Sequence, residues 1–158
     1  LGFYERPDLP LEVANPSSPE INQVEMAAIG QDTLSVTPLQ MALAAASLTT
    51  NGKRPSALLA SSVLTPQQGW QPVQHSTSAD TKLADGIPET LKQLAVENKA
   101  YWQTVALARS NQSNLTWYVA GTLSNWQGSP VAMALVLDES NPDLAIKIGQ
   151  TLMDDLAK

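Results

Sequence analysis

Residues 29–55 read IGQDTLSVTPLQMALAAASLTTNGKRP, and the centre of this stretch is a helix with both ends marked. Thr37 is placed to cap it, its hydroxyl accepting an N–H of the first turn, and Pro38 follows at the first helical position, where a missing N–H costs nothing. Gln40 stands three residues after Thr37 and completes a T-x-x-Q capping box. Leu39, Met41, Ala42, Leu43, Ala44, Ala45, Ala46 and Leu48 then follow without a charge among them. A helix apolar on nearly all sides belongs inside a core. Asn51 and Gly52 accept the left-handed conformation that a helix stop needs, so the helix is expected to end there.

Outward from this helix, composition sets the limits. A chain of 158 residues, 43% hydrophobic and 15% charged, is long enough for one domain with a real core and too apolar for disorder. The formal net charge is −6, and no basic cluster exceeds Lys53-Arg54, which argues against nucleic acid as a partner. With no cysteine there is neither a disulfide nor thiol chemistry. No apolar run approaches the roughly 20 residues that span a bilayer. No metal-ligand cluster and no Gly-rich phosphate loop is present, so no metal or other cofactor is expected. His75, the single histidine, stands in a polar loop at 65–80 without acidic partners and is a poor candidate for ligand or base.

The chain divides into an extended lead-in, a helical part and a sheet. Pro7, Pro10, Pro16 and Pro19 forbid a long helix in residues 1–28. Residues 56–64 suggest a short strand or helix turn anchored by Leu58, Leu59, Val63 and Leu64. In residues 86–99, Ile87, Leu91, Leu94 and Ala95 mark one apolar face of a second helix that begins at Pro88 and Glu89. Residues 101–109 (YWQTVALAR) and 115–123 (LTWYVAGTL) read as strands. In the latter, Leu115, Trp117, Val119 and Leu123 fall on one side, with Thr116, Tyr118, Ala120 and Thr122 on the other. Residues 131–137 (VAMALVL) are continuously apolar, as in a strand buried on both faces. The loops joining these strands are too short for helical crossovers, so neighbours should run antiparallel. Asn141-Pro142-Asp143 opens a last helix to about 157, with a core stripe of Leu144, Ala145, Ile148, Gly149, Leu152 and Leu156. The expected class is α+β, a three-stranded antiparallel sheet with covering helices, in one domain: 1–28 lead-in, 29–99 helical part, 100–158 sheet and terminal helix.

The wording of these segments resembles penicillin-binding proteins. Their transpeptidase domains carry an IGQG-x-x-x-x-TPLQMA-like helix followed by an ANGG turn and a Pro, which 29–55 matches in order and spacing. Here Asp32 replaces the Gly after IGQ, and Thr50-Asn51-Gly52-Lys53 is one Gly short of the turn. LGFYERPDLPLE at 1–12 resembles the segment that follows their second catalytic motif, and Trp117-Tyr118-Val119-Ala120-Gly121 resembles the W-F/Y-V-x-G strand that follows the third. The resemblance is closest to the class B type. It implies the second half of a serine β-lactamase/transpeptidase fold, in a chain that opens at Leu1 as a piece excised from a longer, membrane-anchored parent. It also implies a place on the outer side of the cytoplasmic membrane, with peptidoglycan peptides or cell-wall assembly proteins as partners.

Enzymes of that fold use S-x-x-K, S-x-N and K-T/S-G. Neither of the first two occurs in this chain, and in family order both would lie upstream of Leu1; Thr50 to Lys53 has T-x-x-K form but sits after the helix rather than at its start. The third motif belongs at the end of the 101–110 strand, where the resemblance places Ala108, Arg109 and Ser110. The lysine cation is gone, the hydroxyl position holds an arginine, and the glycine has gained a side chain. Two functions follow. One is a non-catalytic transpeptidase-like module with a structural or interaction role in peptidoglycan assembly. The other is the second half of a working D,D-transpeptidase in which Arg109 binds the substrate carboxylate, a pairing that suits guanidinium geometry. A sheet of three strands also leaves its edges unpaired, so the chain is expected to self-associate through one of them or to pair with a separately supplied first half.

Overall fold

The computed structural model describes residues 35–73, 80–109 and 114–156, together with Arg6, Leu9 and 12–14. The expectations for 1–28 and for 29–34 fall largely outside the described residues, as do His75 and Ser110. The described elements are α1 (Pro38–Thr49), β1 (Ser62–Thr65), β2 (Gly69–Pro72), α2 (Ile87–Gln93), β3 (Tyr101–Arg109), β4 (Asn114–Thr122), β5 (Ala132–Leu137) and α3 (Pro142–Leu156).

Helix α1 starts and stops as its sequence dictates. The Gln40 N–H donates to Thr37 Oγ1 at 3.2 Å, and the Thr37 N–H donates to Gln40 Oε1 at 2.9 Å, closing the capping box. At the other end the Gly52 N–H reaches Ser47 O at 2.7 Å and the Asn51 N–H reaches Leu48 O at 3.3 Å. These two bonds form a Schellman motif, with Asn51 at φ 54° and Gly52 at φ 90°. Gly52 is needed twice over, because a Cβ there would collide with the Thr81 carbonyl. The backbone of 80–83 runs past at that point, and the Thr81 N–H donates to Gly52 O at 2.8 Å.

Strands β3, β4 and β5 form an antiparallel sheet in that order. Register pairs Tyr118 with Val105 on one side and Leu135 on the other. The two faces of β4 are both buried: Tyr118 and Ala120 are fully enclosed on one, and Val119 is buried on the other. Helix α3 lies on the Tyr118 face, packing Ala145 and Met153 against Tyr101, Tyr118 and Ala120. Helix α1 lies on the opposite face over β4 and β5, packing Ala45, Met41 and Leu48 with Trp102 and Val119. The order is therefore helix, sheet, helix, and β4 is the central strand.

Four local expectations are corrected. The segment 65–80 is not a plain loop, since β2 pairs with β1 in a hairpin that joins Leu64 to Trp70. Leu58, Leu59, Val63 and Leu64 do not anchor a core; all four are exposed, Val63 and Leu64 on a hairpin whose main contacts are between its own two strands. The second helix stops at Gln93 rather than 99. There the chain turns back to pair with β3, the Gln103 N–H donating to Leu94 O at 3.1 Å and the Val96 N–H to Tyr101 O at 3.0 Å. Finally, α3 is rotated within its expected stripe: Ala145 and Gly149 face the sheet as expected and Met153 joins them, while Leu144, Leu152 and Leu156 are 37%, 42% and 56% exposed.

The rotation has a steric cause. The Tyr118 ring lies so close to Gly149 that a Cβ there would overlap three ring carbons. Only the residue with no side chain allows the helix to sit this near the strand, and the bulky stripe is turned aside. Thr116, fully buried, then fixes the β5–α3 connection by donating to Glu139 O at 2.6 Å and accepting the Asn141 N–H at 2.9 Å. Asn141 caps α3 through its side-chain oxygen, which accepts the Leu144 N–H at 3.1 Å. In a solvent-exposed helix, Gly→Ala stabilises by about 1 kcal/mol. Here Gly149→Ala is expected to lower stability by roughly 1–3 kcal/mol through overpacking, as read by denaturant unfolding.

Candidate functional site

Of the positions that the resemblance assigns to the third motif, Ala108 and Arg109 lie at the far end of β3, an edge strand of the sheet. Ala108 pairs with Leu115 and Arg109 with Asn114, so both sit next to the β3–β4 connection. The start of β3 is covered, with Trp102 only 2% exposed and the Leu94–Val96 backbone hydrogen-bonded alongside. Beyond Gln103 the strand emerges in part: Thr104, Ala106 and Leu107 are exposed, whereas Ala108 is half-buried and Val105 packs against the Tyr118 cluster. Neither helix reaches this end, because α1 lies over β4 and β5 and α3 is centred on β4. The stretch is therefore an open strand surface whose edge faces away from β4. Ala108 brings no functional group to it, and no cation stands at that position.

A second cluster ties α3 to β3. Tyr101 Oη donates to Asp154 Oδ1 at 3.2 Å, and Lys99 Nζ pairs with the same oxygen at 2.9 Å. Tyr118 Oη donates to Gln103 Oε1 at 3.0 Å, which also accepts from Gln150 Nε2 at 3.3 Å. Asp154 is poorly placed for the helix dipole, and these two partners account for it. Burial pushes the Tyr101 phenol up to about 12, with its hydrogen bond to Asp154 and the charge of that carboxylate adding to the effect. Tyr118 is raised as well, first by burial and then by Tyr101 and Asp154. Phenols held protonated in this way are structural donors rather than bases.

A third feature is a cleft of about 250 Å³ between the end of α1, α2 and the 122–124 segment, lined by Leu48, Thr49, Leu83, Leu91 and Leu123 among others. Near it the end of α1 crosses β4 at Gly121, where a Cβ would collide with Thr49 Oγ1 and lie 2.9 Å from Trp102 Nε1. Both of these polar atoms are buried and have no hydrogen-bond partner among the described residues. They offer a hydroxyl and an indole N–H, and Lys92 lines the cleft on the α2 side. Among the described residues there is no group of three metal-ligating side chains. No helix of the described residues is long and apolar enough to cross a membrane.

The comparisons with known proteins add no relative: no family model, no curated protein and no solved structure matches this chain. Of the sequence-derived site residues, the described structure brings Ala108 and Arg109 together at one strand end. Sequence reasoning did not find the Tyr101–Asp154–Lys99 cluster. Its members lie 53 residues apart in the chain for the Tyr101–Asp154 bond, and only the packing of α3 on β3 joins them.

The tyrosine cluster generates a pH dependence. The unfolded chain loses a phenolic proton near pH 10, whereas folded Tyr101 keeps its proton to about 12. Between these values the folded state binds the extra proton, so the stability that Tyr101 contributes is fully present below pH 10 and is lost as pH rises through 12. Denaturation midpoints measured from pH 9 to 12 should fall, and Tyr101→Phe should flatten part of that fall.

Proposed function

We propose that this chain is a non-catalytic transpeptidase-like module of the penicillin-binding-protein type, acting by interaction in peptidoglycan assembly on the outer side of the cytoplasmic membrane. The observation that carries this reading is the register at the end of β3. It sets Ala108 and Arg109 at the end of an edge strand, and the resemblance would have lysine and threonine at these two positions. An acyl-transfer site of this type needs a cation at the first position and a hydroxyl at the second. An alanine at Ala108 cannot supply the charge, and an arginine changes both the reach and the charge of the second position.

Three further features support the reading. The helix with the TPLQMA wording is capped at both ends and buried against the sheet. The strand with the WYVAG wording is the central strand. The described elements from α1 to α3 follow the order that the resemblance implies for the second half of the fold. The interaction role draws on the open edges of the three-stranded sheet, through which the module pairs with other chains.

Two measurements test it. Labelling with a fluorescent penicillin should leave the chain dark, and co-sedimentation with isolated peptidoglycan should bring it down. One equivalent of label on a serine would overturn the non-catalytic reading, and a chain that stays wholly in the supernatant would overturn the peptidoglycan role.

A further inference from the structure

Asn51 and Gly52, at the stop of α1, are the one Asn-Gly pair in the sequence. In a flexible chain such a pair is chemically labile. The Gly52 backbone nitrogen, unhindered because glycine has no Cβ, gives up its proton and attacks Asn51 Cγ. A bond forms between that nitrogen and Cγ, the bond from Cγ to the side-chain nitrogen breaks, and ammonia leaves with the proton. Water then opens the cyclic imide at either of its carbonyls, leaving aspartate or isoaspartate. Nothing is oxidised or reduced, and water is the sole co-reactant.

The fold holds the reacting atoms apart. Attack needs the Gly52 nitrogen on the same side as the Asn51 side chain. Asn51 sits at φ 54°, in the left-handed region where ψ is also positive, and this turns the next nitrogen to the side opposite Cβ. The Gly52 N–H is also committed, donating to Ser47 O at 2.7 Å in the Schellman motif. A backbone N–H held in this way gives up its proton only when the bond opens. The residues around it are tied as well. The Gly52 carbonyl accepts the Thr81 N–H at 2.8 Å, and the Thr50 hydroxyl donates to Ala46 O at 2.8 Å. Turning the Asn51–Gly52 peptide toward the side chain would break the bond to Ser47 and pull on the others. A more hindered residue cannot stand at 52, because a Cβ there would collide with the Thr81 carbonyl. The stop therefore needs the labile pair and at the same time locks it.

We propose that Asn51-Gly52 is a deamidation site gated by opening of the α1 stop. Ring closure is blocked while the stop is closed and proceeds once the Gly52 N–H leaves Ser47 O. The change runs one way. Isoaspartate adds a methylene to the main chain, so the N–H groups of residues 51 and 52 no longer reach Leu48 O and Ser47 O together. Aspartate sets a negative charge at the C-terminal end of α1, where the helix dipole disfavours it. Either product weakens the stop, and with it the seat of α1 on β4 and β5. A chain whose stop has opened for long enough then carries a covalent mark of it. This site goes beyond the peptidoglycan reading and does not rest on it.

Peptide mapping by mass spectrometry reads deamidation at Asn51 directly, in the native chain and in the same chain unfolded in guanidinium chloride. The native rate should be lower by about tenfold or more, which corresponds to an opening free energy of about 1.4 kcal/mol or above. Thr81→Pro removes the N–H that holds the Gly52 carbonyl and leaves the Asn-Gly pair itself unchanged. With its fold checked by circular dichroism, this variant should deamidate several-fold faster than the wild type. Thr50→Val, which removes the hydroxyl bonded to Ala46 O, is expected to act in the same direction and serves if Thr81→Pro does not fold. Chains isolated with isoaspartate at 51 should unfold at a lower denaturant concentration than unmodified ones. Equal rates in the native and unfolded chain, a folded loosened variant with the wild-type rate, or an isoaspartate chain with an unchanged unfolding midpoint would each overturn the proposal.

Discussion

Strand β4 carries close contacts on both faces, and the rest of the structure depends on them. On one face Gly149 lets α3 settle onto the Tyr118 ring; on the other, Gly121 lets the end of α1 settle against the strand. An added methyl group at either point would have to move a helix or a buried aromatic ring. Because both helices are seated on β4, Trp102, Tyr101, Tyr118 and Met153 are almost fully removed from water. A side chain of that size contributes on the order of 1.5–3 kcal/mol when fully buried. Helix α1 lies over β5 as well as β4, and on β3 Thr104, Ala106 and Leu107 stand exposed.

Much of this was legible in the sequence, and the failures share a cause. Local signals were read correctly. Thr37, Pro38 and Gln40 mark a start that backbone geometry alone enforces, and Asn51-Gly52 marks a stop for the same reason. The strands β3, β4 and β5 agree with their apolar patterns to within a residue at each end. Errors arose where tertiary packing outweighs local pattern. The periodicity of α3 placed Ala145 and Gly149 correctly in the core stripe but also Leu144, Leu152 and Leu156, whereas close approach at Gly149 brings in Met153 in their place. The second helix was read too long because nothing in 94–99 announces that the Leu94 carbonyl will pair with β3. The hairpin was missed in part because Gly69-Trp70-Gln71-Pro72 has little apolar alternation, and its partner strand is exposed.

The candidate site was legible only by wording. Ala108 and Arg109 carry no chemical signature of their own, and their interest lies in what the resemblance would place there. The structure adds their position, at the end of an edge strand. The buried polar groups that do stand out, Tyr101, Tyr118, Gln103 and Asp154, join α3 to β3. Their partners account for them as structural bonds. The interaction role proposed above rests on the resemblance and on the open strand surface, not on these buried bonds.

The central claim is that β4, held between two closely seated helices, is the most protected element and the hairpin the least. Native-state amide hydrogen exchange reads this directly, since core segments open only with global unfolding while peripheral units open separately. The N–H groups of Tyr118, Val119 and Ala120 should exchange slowest of all and track global stability in denaturant, with those of the β1–β2 hairpin exchanging far sooner. Exchange of the β4 amides at the rate of the hairpin would contradict the account.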